Sequence, residues 1–297
     1  MLVPTLSQSI ATVIVGFLIA VLHIPTPVQA ETQAVSQVTF PSAIIPLTPF
    51  RVTRVKEFGM SLAPKPTINL NATLFTPETN SPRPAVIILV GDDGLQQSHL
   101  NWGATLADWG YVSLVIDIFG SRGGKNFQDT LNIEMPEDTR SAVKYLRSLK
   151  SVDSDKIALL GFSLGGSRIL SFFDRQSPSH IEDINFSAGV ALYPNCAPGK
   201  QFSAPLLILA GISDQMMTFN LCKRLSNEAD VMNNDVSAHF YPGVTHFFDN
   251  PDYRKDTISK KVAAAPPLWF QTNHYSEAAH KDALARVKSF LKARLGS

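Results

Sequence analysis

Ser163 stands in the run Gly161-Phe162-Ser163-Leu164-Gly165, between an apolar stretch at 156–160 and a second apolar stretch at 167–173. That context predicts a strand, a sharp turn and a helix, the arrangement of a nucleophile elbow. The turn holds its serine in a strained backbone conformation and leaves no room for side chains two residues away, which is why Gly161 and Gly165 flank it. The following helix aims its N-terminus at the serine, so the Leu164 N–H can meet an oxyanion formed there. The chemistry this predicts is nucleophilic acyl transfer. An ordinary strand-to-helix turn is the plainer alternative, and the agreement of strand, glycines and helix weighs against it.

A serine hydroxyl becomes a strong nucleophile only beside a general base, and the base needs a group that orients it. In the order serine, acid, histidine, the acid is expected to be Asp214. It follows the apolar run 205–210 and the turn Gly211-Ile212-Ser213; a helix cap is its alternative role. Asp230 and Asp235 fall in a polar segment and read as solvated. The base is expected to be His246, in Tyr241-Pro242-Gly243-Val244-Thr245-His246-Phe247-Phe248. His239 lies inside the preceding strand and reads as structural, His99 is a candidate for lining the pocket, and His274 and His280 read as exposed. A second oxyanion donor is expected in the loop after 85–90, from the backbone N–H of Asp92 with Asp93 as its neighbour. Carboxylates beside a developing negative charge are unfavourable, so both side chains are expected to point away from the pocket.

The elements that must position these groups are legible as hydrophobic patterns. Alternation at 68–74 predicts a half-buried strand, and 50–60 a strand before it. Continuous apolar runs at 85–90, 111–116, 156–160, 188–193 and 205–210 predict strands buried on both faces, with 238–241 the last. Helical spacing is expected at 98–109, from Pro136 to about 150, at 167–173 and at 276–295, where Ala283, Val287, Phe290 and Leu291 face the core. Residues 31–47 show no period and read as an arm, and 76–84 as a surface turn. Strands alternating with helices predict an α/β fold with a mostly parallel sheet covered on both faces.

The chain has 297 residues and a net charge of +1. No basic run points to nucleic acid. Residues 1–30 carry no charged side chain, contain an apolar block at 10–22 and end on Val28-Gln29-Ala30. They read as a signal peptide that exports the rest to the periplasm or outside, leaving one domain at 31–297; because no Lys or Arg precedes the block, an uncleaved anchor is the alternative. Cys196 and Cys222 are the only cysteines. In an oxidising compartment they are candidates for one disulfide, with two separate buried thiols as the alternative.

Several runs together resemble the dienelactone hydrolase family of α/β-hydrolases over about 71–295. They are Leu106-Ala107-Asp108-Trp109-Gly110-Tyr111, Asp117-Ile118-Phe119-Gly120-Ser121-Arg122-Gly123, Gly161-Phe162-Ser163-Leu164-Gly165-Gly166, Tyr193-Pro194 and Tyr241-Pro242-Gly243 leading to His246. The resemblance implies the α/β-hydrolase fold, a triad of Ser163, Asp214 and His246, and an oxyanion pair from the backbone of Leu164 and Asp92. It also places Arg122 where a relative can offer an arginine to a substrate carboxylate; pairing of Arg122 with a nearby acid is the equal alternative. Two departures stand out. Ser163 replaces the cysteine of the dienelactone-cleaving members, and Gly91 stands where they carry a glutamate. Serine-bearing relatives resemble carboxylesterases.

The expected function is therefore hydrolysis of small-molecule carboxylic esters by a Ser-His-Asp hydrolase, with no cofactor or metal. A non-catalytic exported binding protein on the same scaffold and a serine peptidase of short peptides are the rivals. The long segment 249–275 contains Trp269 and Phe270 and is expected to cap the pocket, with Trp269 a candidate substrate contact.

Overall fold

The computed structural model describes residues 33–42, 67–79, 81–128, 134–229, 231–254 and 274–296. The predicted strand at 50–60, the proposed export segment at 1–30, and Trp269 and Phe270 lie outside them. The described residues form one eight-stranded sheet in the order β1-β2-β4-β3-β5-β6-β7-β8. The strands are β1 (Gln33–Pro41), β2 (Asn69–Pro77), β3 (Arg83–Leu89), β4 (Val112–Asp117), β5 (Val152–Phe162), β6 (Ala188–Leu192), β7 (Leu206–Gly211) and β8 (Val236–Tyr241). β1 and β2 run antiparallel, and every pairing from β4 to β8 is parallel. The central strands are apolar on both faces because helices cover both. Ile87, Leu114, Leu159 and Ile208 face one core and Val86, Val115, Leu160 and Leu209 the other.

Among the described residues, five helices supply the covers: α1 (Gln97–Asp108), α2 (Met135–Arg147), α3 (Leu164–Phe173), α4 (Phe219–Glu228) and α5 (Glu277–Leu295). α2, α3 and α4 pack on the first core through Val143, Leu146, Ile169, Phe173 and Leu225. α1 and α5 pack on the second. α5 shows how sequence sets this. Ala279, Ala283, Val287, Leu291 and Leu295 recur every fourth residue and all are buried, a stripe along one helical face. Ser276 starts the helix by accepting the Ala279 N–H at 3.3 Å.

Residues 33–41 correct the sequence reading of an unpatterned arm. They pair with β2 along their whole length, from Gln33 opposite Pro77 to Pro41 opposite Asn69. Such an edge strand is held mainly by its backbone ladder. Only Phe40 of the nine is buried and Val35 stays exposed, so no apolar alternation is written into the chain. Likewise, the turn expected at 76–84 is shorter, because Thr76 and Pro77 still belong to β2 and Arg83 already opens β3.

Cys196, in the loop after β6, and Cys222, on α4, form a disulfide, which decides between the two readings of the cysteines. They stand 26 residues apart and both are buried. Closing a loop of that length restricts the unfolded chain and is worth ~3 kcal/mol. Cys196→Ser with Cys222→Ser should therefore lower the thermal midpoint by several degrees, and treating the unmutated protein with a reductant should lower it to a similar value.

Candidate active site

Parallel strands put all their C-terminal ends along one edge of the sheet, and the three expected groups follow β5, β7 and β8 there. Ser163 comes directly after β5, with φ 49° and ψ −110°. That backbone conformation is strained for a residue with a Cβ. The elbow is held by Ser163 N–H donating to Leu192 O at 3.0 Å and by Ser167 N–H donating to Ser163 O at 2.9 Å. Its tightness explains both glycines. A Cβ on Gly165 would overlap the Leu89 carbonyl, and one on Gly161 would press into the Gly165 backbone. Gly165→Ala should therefore destabilise the fold by about 3 kcal/mol, the upper range for overpacking; a chemical-denaturation midpoint unchanged from the parent would contradict this packing.

β7 and β8 pair so that Gly211 faces Tyr241, and the loops that follow start side by side. Ile212 N–H donates to Tyr241 O at 2.9 Å and Ser213 N–H to Val244 O at 3.0 Å. These bonds bring Asp214 and His246 together. His246 Nδ1 lies 2.6 Å from Asp214 Oδ2, and its Nε2 lies 2.9 Å from Ser163 Oγ. Asp214 Oδ1 accepts the N–H groups of Met216 at 2.8 Å and Met217 at 3.0 Å. The carboxylate is thus fixed by its own turn and leaves Oδ2 for the imidazole. The geometry fits one tautomer: Nδ1–H donates to Asp214 and bare Nε2 accepts from the serine. The helix-cap alternative for Asp214 gives way, since α4 begins after Thr218.

All three groups are shielded: Ser163 is 1% exposed, His246 0% and Asp214 9%. The imidazole is clamped by Tyr193 and Phe247, each with its ring centroid 4.4 Å away. Tyr193 was not singled out from the sequence as part of the site, beyond its place in the Tyr193-Pro194 run. It donates its hydroxyl to Asp249 Oδ1 at 2.8 Å, and Trp102 Nε1–H donates to Asp249 Oδ2 at 2.8 Å. Burial pushes the Asp249 carboxyl upward, although both donors oppose the shift. No sequence pattern marks Asp249, since its partners come from a helix and a strand end far away in the chain.

The turn after β3 lies against the nucleophile. The place a Gly91 Cβ would take is 3.6 Å from Ser163 Cβ and 2.8 Å from Asp93 Oδ1. A cavity of about 330 Å³ opens beside it, lined by Asp92, Asp93, Asn126, Gln128, Met216 and Phe247. Both aspartates line this cavity, and Asp93 turns its Oδ1 to the side of Gly91 that faces Ser163, against the expectation that its side chain points away. Burial, with Asp92 next to it, pushes the Asp93 carboxyl up to about 7.

Two further candidates are corrected. Arg122 does not face the cavity: its Nη2 donates to both Asp138 carboxylate oxygens at 3.0 and 2.8 Å, and its Nη1 to Ile118 O at 2.9 Å. His99 does not line the pocket either. Its Nδ1 accepts the Gln96 N–H at 3.0 Å, bracing the start of α1, and its ring packs 4.8 Å from Phe162. Burial pushes its imidazole down to about 3, so it is neutral. His280 is also not exposed as read; it packs 6.0 Å from the Trp102 ring. His274, also read as exposed, is half-buried, its N–H donating to Thr245 Oγ1.

A mostly parallel sheet with helices on both faces, and a serine elbow, an acid and a histidine after β5, β7 and β8, define an α/β-hydrolase fold. The chain belongs to the dienelactone hydrolase family, whose model matches residues 70–295. A Bradyrhizobium protein described as a probable 2-oxo-3-(5-oxofuran-2-ylidene)propanoate lactonase is 24% identical over 223 residues, 69% of this chain and 87% of its own length. Among solved structures, the dienelactone hydrolase-like promiscuous phosphotriesterase P91 from metagenomic libraries superposes with a TM-score of 0.63 at 16% identity, covering 89% of this chain and all of that one. A thermophilic esterase of Thermogutta terrifontis with propionate bound does so with a TM-score of 0.53 at 16% identity, covering 76% and 90%.

Proposed function

We propose that the protein is a serine hydrolase that cleaves small carboxylic esters through an acyl-enzyme. The observation that carries this is the continuous chain from Ser163 Oγ through the His246 ring to Asp214, with links of 2.9 and 2.6 Å. Ser163 attacks the acyl carbon as its proton passes to His246 Nε2. Asp214 holds the ring and stabilises the imidazolium. The Leu164 N–H, at the first turn of α3, and the Asp92 N–H stabilise the oxyanion. His246 then protonates the departing alcohol, and water repeats the sequence on the acyl-serine. The lactone, ester and phosphotriester chemistry in the relatives' names is compatible with such a nucleophile. The expulsion of an alcohol needs no further group than these.

Rapid mixing with p-nitrophenyl acetate tests the reading. The expected result is an initial release of p-nitrophenolate equal to the enzyme present, accompanied by an acetyl adduct in the intact mass. No turnover and no adduct would favour the non-catalytic binding protein instead. Export belongs to the same proposal, and the Cys196–Cys222 disulfide supports it, because such bonds persist in oxidising compartments.

A further inference from the structure

We propose that Asp93 is a specificity-determining residue of this site, selecting esters that carry a cationic group and disfavouring those that carry a carboxylate. The inference rests on the esterase reading above and names its substrate class.

Among the described residues, the lining of the cavity at the turn next to Ser163 carries charge of one sign only. Of the six described residues that line it, Asp92 and Asp93 are acidic, Asn126 and Gln128 are neutral and polar, and Met216 and Phe247 are apolar. None is basic. The guanidinium that would greet an anionic substrate, Arg122, is held by Asp138 and Ile118. Asp93 is the better placed of the two acids, because its Oδ1 and Ser163 Cβ flank the same small volume, the space kept open by the absence of a side chain at Gly91. A carboxylate there is costly when the oxyanion forms. An ammonium on the substrate, seated against it, offsets that cost and adds an attraction of its own. A substrate carboxylate would instead be set against the ionised Asp93 in a space of about 330 Å³.

The charged groups around Asp93 reinforce the same sign. Asp92 lies in its own turn, and Asp249, from the loop after His246, also raises its affinity for a proton. Burial first, and then nearby negative charge that includes Asp93, pushes the Tyr193 and Tyr253 hydroxyls up. Lys125, in the loop that abuts Gly94, is exposed and not among the lining residues. With its carboxyl raised to about 7, Asp93 is neutral well below that pH and anionic well above it. The preference for a cation must therefore grow as pH rises through this range.

The experiment compares acetylcholine with 3,3-dimethylbutyl acetate, which has nearly the same shape and no charge. The readout is the ratio of their kcat/KM values in the unmutated protein at pH 5.5 and pH 8.5, and in Asp93→Asn. The expected ratio is about tenfold in favour of acetylcholine at pH 8.5, shrinking toward unity at pH 5.5 and near unity at both pH values in Asp93→Asn. A ratio near or below one at pH 8.5, or one that Asp93→Asn leaves intact, overturns the proposal. If Asp93→Asn does not fold, the pH dependence of the unmutated protein decides alone. Failure to cleave either ester, with Ser163 unreactive toward a fluorophosphonate, overturns the esterase reading itself; cleavage of both without charge preference overturns only the role of Asp93.

Discussion

Ser163→Ala is expected to lower kcat/KM for p-nitrophenyl acetate by about 10⁴-fold to 10⁶-fold, with the thermal midpoint within a few degrees of the parent. The size follows from what the hydroxyl does in the proposed mechanism. There its oxygen forms the acyl-enzyme, so its loss removes the covalent route rather than weakening a contact. The residual rate comes from the oxyanion donors and from binding, which outlast the nucleophile in other triads. The fold should survive because Ser163 contributes backbone bonds to Leu192 and Ser167 that alanine keeps. Alanine at φ 49° carries the same strain as serine, so the substitution adds none. A variant that folds and keeps more than about a tenth of the parent rate would remove Ser163 from the mechanism.

Asp214→Asn is expected to cost about 10⁴-fold in kcat, by the logic of triads whose acid becomes an amide. The carboxylate accepts on all sides: two backbone N–H groups on Oδ1 and the imidazole on Oδ2. An asparagine keeps one acceptor. With the Met216 and Met217 N–H groups holding the amide oxygen, the NH₂ must face His246 Nδ1 and donate to it. The imidazole then carries its proton on Nε2 and presents a donor, not an acceptor, to Ser163. KM should change little, because no substrate contact is altered. Kinetics with the same ester check this; a loss confined to KM, with kcat retained, would contradict the orienting role.

That Ser163, Asp214 and His246 come together as expected has a physical basis, and so do the departures from expectation. Ser163 is legible because the elbow needs both glycines and an apolar run on either side. Asp214 and His246 are legible because parallel strands deliver their C-terminal loops to one edge, so position after a strand becomes position in space. Side-chain direction is not carried in that way. Asp93 turns its Oδ1 into the space left beside Ser163 by the missing side chain of Gly91, and nothing local in the run Gly91-Asp92-Asp93-Gly94 records that direction. Arg122 is consumed by Asp138, sixteen positions later on α2, a pairing that only the packed fold creates. His99 had a local signal that went unused: it stands three residues after the residue that caps α1, where a side chain reaches back to the cap N–H. β1 shows the opposite limit, since an edge strand held by its ladder has little need of an apolar pattern.

The central claim is that His246 makes the Ser163 oxygen a strong nucleophile. It is tested most directly by exposing the folded protein, and its His246→Ala variant, to a fluorophosphonate probe and mapping the adduct by peptide mass spectrometry. The account predicts one stoichiometric adduct on Ser163 in the parent and labelling slowed by several orders of magnitude in the variant. An unmodified Ser163 in the parent, or equal labelling of both proteins, would contradict it.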